Sequence, residues 1–221
     1  MINKNREEKL MKKQGILTIV SGFSGAGKGT LMKRLLSQYQ EDYCLSVSAT
    51  TREPRKGETD GKEYFFISVE LFEQMIETGQ LLEYAKYLDN YYGTPKNFVL
   101  DKLDSGINVL LEIEMQGALK IKAQYPETLL IFILPPSVPL LEQRLRGRGT
   151  ETDEVIDARL KRAHDEMEFI KNYDYIVVND HLDTCTERIH QIVVNEQYRV
   201  HRNREFINRI ERELLAYQKG E

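Results

Sequence analysis

Only two cysteines occur among the 221 residues, Cys44 and Cys185, and they have neither metal spacing nor a disulfide framework. The chain is therefore expected in a reducing compartment, with both thiols acting as small, partly buried apolar groups. Long apolar runs are absent as well, and none approaches the length needed to cross a bilayer. The charged opening, MINKNREEKLMKKQG, has no apolar centre, which excludes a signal peptide there and predicts a mobile polar extension over residues 1–14. A cytoplasmic protein with no membrane partner is expected. An excess of one charge is lacking too. Lys+Arg 31 against Asp+Glu 35 gives −4, so no overall basic character advertises nucleic acid. The four histidines, His164, His181, His190 and His201, form no ligand set, and neither a zinc site nor a Ser-His-Asp or Cys-His nucleophile is expected. Internal repeats, low-complexity tracts and linkers are missing.

What is present is 41% apolar and 30% charged residues, the balance of an ordinary globular protein long enough to bury a substantial core. Continuous apolar runs predict buried strands at 16–20, 43–49, 64–67, 81–87, 109–112, 129–134 and 175–178. Helical spacing predicts helices at 28–40, 69–78, 95–105, 116–123, 138–147 and 153–171. Such alternation argues for an α/β protein with a mostly parallel sheet. Two stretches break the rhythm. TREPRKGETDGK (51–62) precedes short strands and suggests a small antiparallel insertion, and RLRGRGTET (144–152) is a basic elbow between two helices. From Leu182 onward the chain reads as helical. There Ile207, Ile210, Leu214 and Tyr217 form an apolar stripe for packing on the domain or on a second copy, which leaves a homo-oligomer through the C-terminal helix open.

The most telling stretch is SGFSGAGKGT, residues 21–30. A buried strand runs into three glycines and a lysine, then into a helix. Glycines let the backbone N–H groups wrap a phosphate chain while the helix turns its N-terminus toward it. The pattern G-x-x-x-x-G-K-[ST] is met at Gly22, Gly27 and Lys28, but Gly29 replaces the hydroxyl and Thr30 restores one a residue later. A merely tight turn explains one or two of these glycines, not three with a lysine at the helix start. Lys28 can follow charge on the outer phosphates. Alternation along VLLEIE places Glu112 and Glu114 on the same side at the end of a neighbouring strand, where carboxylates serve metal-bound water or substrate.

The blocks SGFSGAGKGT, SVSATTREPRKGETDGKEYFF, NYYGTPK, LEIEMQGA, RLRGRGTET and VVND together resemble guanylate kinase, over roughly residues 15–197. The resemblance implies a P-loop kinase fold: a mostly parallel sheet flanked by helices, a small antiparallel GMP-binding insertion at about 48–95 and a helical lid at about 144–160, with 198–221 a helical extension. It implies transfer of the γ-phosphate of ATP to GMP, and to dGMP, with Mg²⁺ as cofactor. ATP-binding residues would be Gly22, Phe23, Ser24, Gly25, Ala26, Gly27, Lys28, Gly29, Thr30 and Asn179. Those for GMP would be Ser48, Arg52, Arg55, Glu58, Tyr64, Glu83, Tyr92, Thr94 and Glu114. In this reading Arg52 and Arg55 grip the GMP phosphate, Glu58 orders them, and Tyr64 and Tyr92 donate hydroxyls. Glu83 accepts from guanine N1–H and N2–H, which adenine cannot offer. Lys28, Arg52, Arg144, Arg148 and Arg159 carry the catalysis, while Thr30 and Glu112 stand near the metal, through water. Rival readings are a kinase for another nucleoside monophosphate and a catalytically dead binding module; the intact Lys28, Arg144 and Arg148 speak against the second.

Overall fold

A computed structural model of the chain describes residues 14–87, 89–147 and 152–218, which leaves out residues 1–13, Leu88, residues 148–151 of the elbow and residues 219–221. The order is β1 (Leu17–Gly22), α1 (Lys28–Gln38), β2 (Tyr43–Leu45), β3 (Ser48–Thr50), β4 (Tyr64–Phe66), α2 (Val69–Glu77), β5 (Leu81–Tyr87), β6 (Asn90–Pro95) and α3 (Lys96–Asp104). There follow β7 (Asn108–Leu111), α4 (Met115–Gln124), β8 (Leu129–Leu134), α5 (Val138–Arg146), α6 (Asp153–Glu166), β9 (Tyr175–Val178), α7 (Leu182–Glu196) and α8 (Arg204–Gln218).

Five strands form one sheet in the order β2-β7-β1-β8-β9, and every pairing in it is parallel. Alternate residues feed opposite faces, because side chains in a strand point to either side in turn. Val20, Leu110, Leu129 and Ile131 pack with Leu31 and Leu35 of α1 and Ile189 and Val193 of α7. Ile19, Val109, Leu111 and Leu130 pack with Val99 and Leu103 of α3 and Ala118 and Ile121 of α4. Burying each such branched side chain contributes about 1.5–3 kcal/mol. The phosphate-loop stretch leaves β1 at the carboxyl edge of this sheet, where open α/β sheets place their ligands.

The second sheet, β4-β3-β6-β5, departs from expectation. Its β3–β6 and β5–β6 pairs are antiparallel, but β3 and β4 run parallel, so the insertion is mixed. The single strand expected at 43–49 is two strands in different sheets. Its first half pairs with β7, and after Ser46 donates to Leu110 the chain crosses to β3. The helix expected at 153–171 ends at Glu166 and tightens into a 3₁₀ segment, Met167–Asn172. β6 was not read as a strand at all, since Asn90–Pro95 shows no clean alternation. The C-terminal stripe does not pack on the domain. α8 buries no residue, and Ile207, Ile210, Leu214 and Tyr217 are exposed.

Candidate active site

The loop between β1 and α1 is built to stay open to an anion. Gly27, the N-cap of α1, sits at φ 92 and has no side chain to cap the N–H groups of the first helical turn. A Cβ on Gly27 would come within 2.4 Å of Asn179 Nδ2, and one on Gly25 within 2.9 Å of Leu145 Cδ2. Close approach as well as backbone conformation therefore demands glycine at both. Lys28 folds back over the loop, its Nζ donating to the carbonyls of Gly22 at 2.6 Å and Phe23 at 3.2 Å.

Other elements brace this loop. Asn179, buried beyond the end of β9, donates from Nδ2 to the Ala26 carbonyl at 2.8 Å. Arg144 on α5 donates from Nη2 to the Asn179 carbonyl at 2.9 Å and, more weakly, from Nη1 to Ala26 at 3.4 Å. Arg159 on α6 donates to the Ser24 hydroxyl. Asn179, Arg144 and Arg159, expected around ATP, thus converge on residues 22–30. α5 ends at Arg146, and Arg148, also expected around ATP, lies outside the described residues.

A second group gathers on the mixed sheet. Arg52 Nη2 bonds both oxygens of Glu58 at 2.9 Å, and the backbone N–H of Arg55 donates to Glu58 Oε2 at 2.7 Å. The Arg55 amide and, behind it, the Arg52 guanidinium hold the Glu58 carboxyl below its ordinary value, against the opposing desolvation. Glu58 therefore orders the Arg52 side chain and the Arg55 backbone, leaving the Arg55 side chain exposed. Tyr64 lies under Arg52, with the guanidinium carbon 5.5 Å from its ring centroid, and its ring meets that of Tyr92 edge-on at 6.0 Å. Ser48 is the β3 partner of Tyr64 in register.

Glu83 on β5 accepts the hydroxyl of buried Thr94 on β6 at 2.8 Å. Burial pushes its carboxyl above the ordinary value, while the Thr94 hydrogen bond and Lys120 pull the other way. Its other oxygen faces α4, where a Cβ on Gly117 would come within 3.2 Å of it. Gly117 was not singled out from sequence, although it stands in the quoted LEIEMQGA block.

The paired carboxylates need correction. β7 ends at Leu111, so strand alternation does not govern the residues beyond it. Glu112 faces the loop; both its oxygens lie 3.9 Å from where a Cβ on Gly29 would stand, one residue from Thr30. Glu114 is the N-cap of α4 and accepts from Arg162 of α6. A carboxylate and a hydroxyl are hard oxygen donors that suit Mg²⁺. Among the described residues no group of three or more His, Cys, Asp or Glu could hold a metal. No helix among them is long and apolar enough to cross a membrane.

A family model described as Guanylate kinase matches residues 14–196. A guanylate kinase of Caldanaerobacter subterraneus subsp. tengcongensis is 51% identical over 205 residues, 93% of this chain and 99% of that one. Another, of Clostridioides difficile, is 51% identical over 195 residues, 88% of this chain and 95% of that one. The crystal structure of guanylate kinase from Anaplasma phagocytophilum superposes with a TM-score of 0.67 at 34% identity, covering 87% of this chain and 92% of that one.

Proposed function

Because the chain belongs to the guanylate kinase family, we infer that its site moves the γ-phosphoryl group of ATP onto GMP, giving ADP and GDP. The bond from the γ-phosphorus to the β,γ-bridging oxygen breaks, and one forms to a phosphate oxygen of GMP. No protein nucleophile takes part, so catalysis is positioning and charge stabilisation. The residues of the loop from Gly22 to Thr30 hold the phosphates of ATP, and Asn179 fixes the loop beneath them. Lys28, Arg144, Arg148 and Arg159 bear the charge that develops on the transferred group. Arg52 and Arg55 clamp the GMP phosphate, with Glu58 as their organiser and Tyr64 and Tyr92 as hydroxyl donors. Glu83 reads guanine N1–H and N2–H, with Ser48 and Thr94 at the O6 side and Glu114 at the edge of the same site. Thr30 and Glu112 would stand beside Mg²⁺, through water. Bound there, the ion neutralises phosphate charge and orients the transfer.

The observation that carries this reading is the placement of α6. Arg159 reaches Ser24 of the loop, while one turn on Arg162 reaches Glu114, the cap of the helix whose Gly117 abuts Glu83. One element thus touches both sides of the proposed site. The purified protein should form ADP and GDP in equal amounts from Mg-ATP and GMP, and lose that turnover in Lys28→Ala. Binding of both nucleotides without GDP would favour the binding-module reading.

The same family reading makes dGMP a further acceptor, the cytoplasm its compartment and purine nucleotide metabolism its setting. It divides the chain into residues 15–197 as the kinase domain, with the GMP-binding insertion at about 48–95 and the lid at about 144–160, and 198–221 as the extension. The exposed stripe on α8 is offered to a second copy. Arg204 and Glu211 lie one heptad apart on the same flank, so antiparallel pairing would set each opposite the other. Ile210→Glu should then turn a dimer into a monomer by light scattering, and a monomeric parent would contradict it.

A further inference from the structure

Arg162 marks the placement of α6 in the functional reading above but is given no binding or catalytic role there. It lies on α6 one turn beyond Arg159 and donates to two carboxylates. Glu166, one turn further along the same helix, accepts its Nε at 2.9 Å. Glu114, at the start of α4, accepts its Nη2. Glu114 is also the first cause of the Arg162 guanidinium being held in its charged form. The pair thus ties α6 to the acid that borders the Glu83 side of the site.

We propose that Arg162 is a positioning residue that competes with GMP for Glu114. The proposal rests on the reading of Glu114 as part of the GMP site. A carboxylate committed to a guanidinium presents less negative potential and fewer free lone pairs to the N–H groups of a nucleotide base. With GMP absent, Arg162 draws the Glu114 side chain toward α6. When GMP binds, Glu114 turns to the nucleotide and Arg162 falls back on Glu166, which already holds it from within the helix. The exchange is cheap for that reason: the arginine never loses its last carboxylate. Its consequence is that GMP binding changes how α6 is tethered, and α6 also carries Arg159 to the phosphate loop.

The size of the effect follows from exposure. The Arg162 and Glu114 side chains are 63% and 77% exposed, so the pair is screened by water and salt, and removing the competition is worth about two- to fivefold in affinity. This is small but measurable, and it has the opposite sign to the loss expected from deleting an ordinary binding residue.

The test is calorimetric titration of GMP into the full-length protein, at low and high salt, for the parent, Arg162→Ala, Arg162→Lys, Glu114→Gln and the Arg162→Ala/Glu114→Gln double variant. Arg162→Ala should tighten GMP binding about two- to fivefold at low salt, and the gain should fade at high salt. Arg162→Lys, which keeps the charge, should restore most of the parent affinity. In the Glu114→Gln background, Arg162→Ala should change nothing. Unchanged or weaker binding in Arg162→Ala would overturn the proposal, and so would a gain that survives in Glu114→Gln. A parent protein that binds no GMP would instead overturn the reading of the site on which the proposal stands.

Discussion

Replacing Glu83 by glutamine removes one charge and changes almost no volume, which isolates the proposed reading of guanine. Thr94 donates to Oε1 at 2.8 Å, so a glutamine carbonyl will settle at that position and its amino group will take the place of Oε2. A donor then faces a guanine N–H. A hydrogen bond to a charged group contributes about 1.5–3 kcal/mol, and with the added donor–donor clash the loss is about 2–4 kcal/mol. That corresponds to roughly a 30- to 900-fold fall in kcat/KM for GMP. The empty protein should respond in the opposite direction. Burial raises the Glu83 carboxyl above its ordinary 4.5, so the protonated acid is the form the fold favours. Its contribution is present below 4.5 and is lost as pH rises through the raised value. The glutamine does not titrate. The Tm of Glu83→Gln relative to the parent should therefore climb between acidic and neutral pH while GMP turnover collapses. Steady-state kinetics with GMP, beside melting curves across that range, make the measurement. A loss below about fivefold in kcat/KM would refute the assignment of Glu83 to the base, because a charge-assisted hydrogen bond to a carboxylate shielded from water is worth more.

Gly27→Ala should destabilise the fold by about 2–5 kcal/mol, combining left-handed backbone strain with the displaced buried bond from Asn179 to Ala26. Calorimetry should find Tm lower by roughly 5–15 °C; a Tm within about 1 °C of the parent would contradict the packing described. Arg52→Lys keeps the charge but loses the planar group that bonds both oxygens of Glu58 from Nη2 while Nη1 holds the Glu53 carbonyl. KM for GMP should rise about tenfold, with KM for ATP unmoved. A parallel rise in both constants would mean that Arg52 serves the fold rather than one substrate.

The central sheet was legible because its strands are buried on both faces. Leu129–Leu134 and Tyr175–Val178 were read to the residue, since a run such as LLIFIL has little alternative in a globular protein. The mixed sheet was harder. Its strands are short and half-exposed, so β6 left no alternating pattern, and the parallel pairing of β3 with β4 depends on a connection that periodicity does not describe. The tight turn between β1 and α1 could be read because Gly25 and Gly27 sit at positive φ with close neighbours. Arg162 could not. An arginine on a polar helix face looks like any solvated charge until the fold brings Glu114 to it. The shared side expected of Glu112 and Glu114 erred for a related reason: alternation holds only while the strand lasts, and β7 stops one residue before Glu112 and three before Glu114.

The most direct test of the account is the acceptor specificity of the purified protein, read as ADP formed from Mg-ATP with GMP, AMP, UMP or CMP. Turnover confined to GMP among these four is the predicted result. Equal turnover of AMP would contradict it, because a site that leaves the Glu83 carboxylate without N–H partners could not accept adenine so readily.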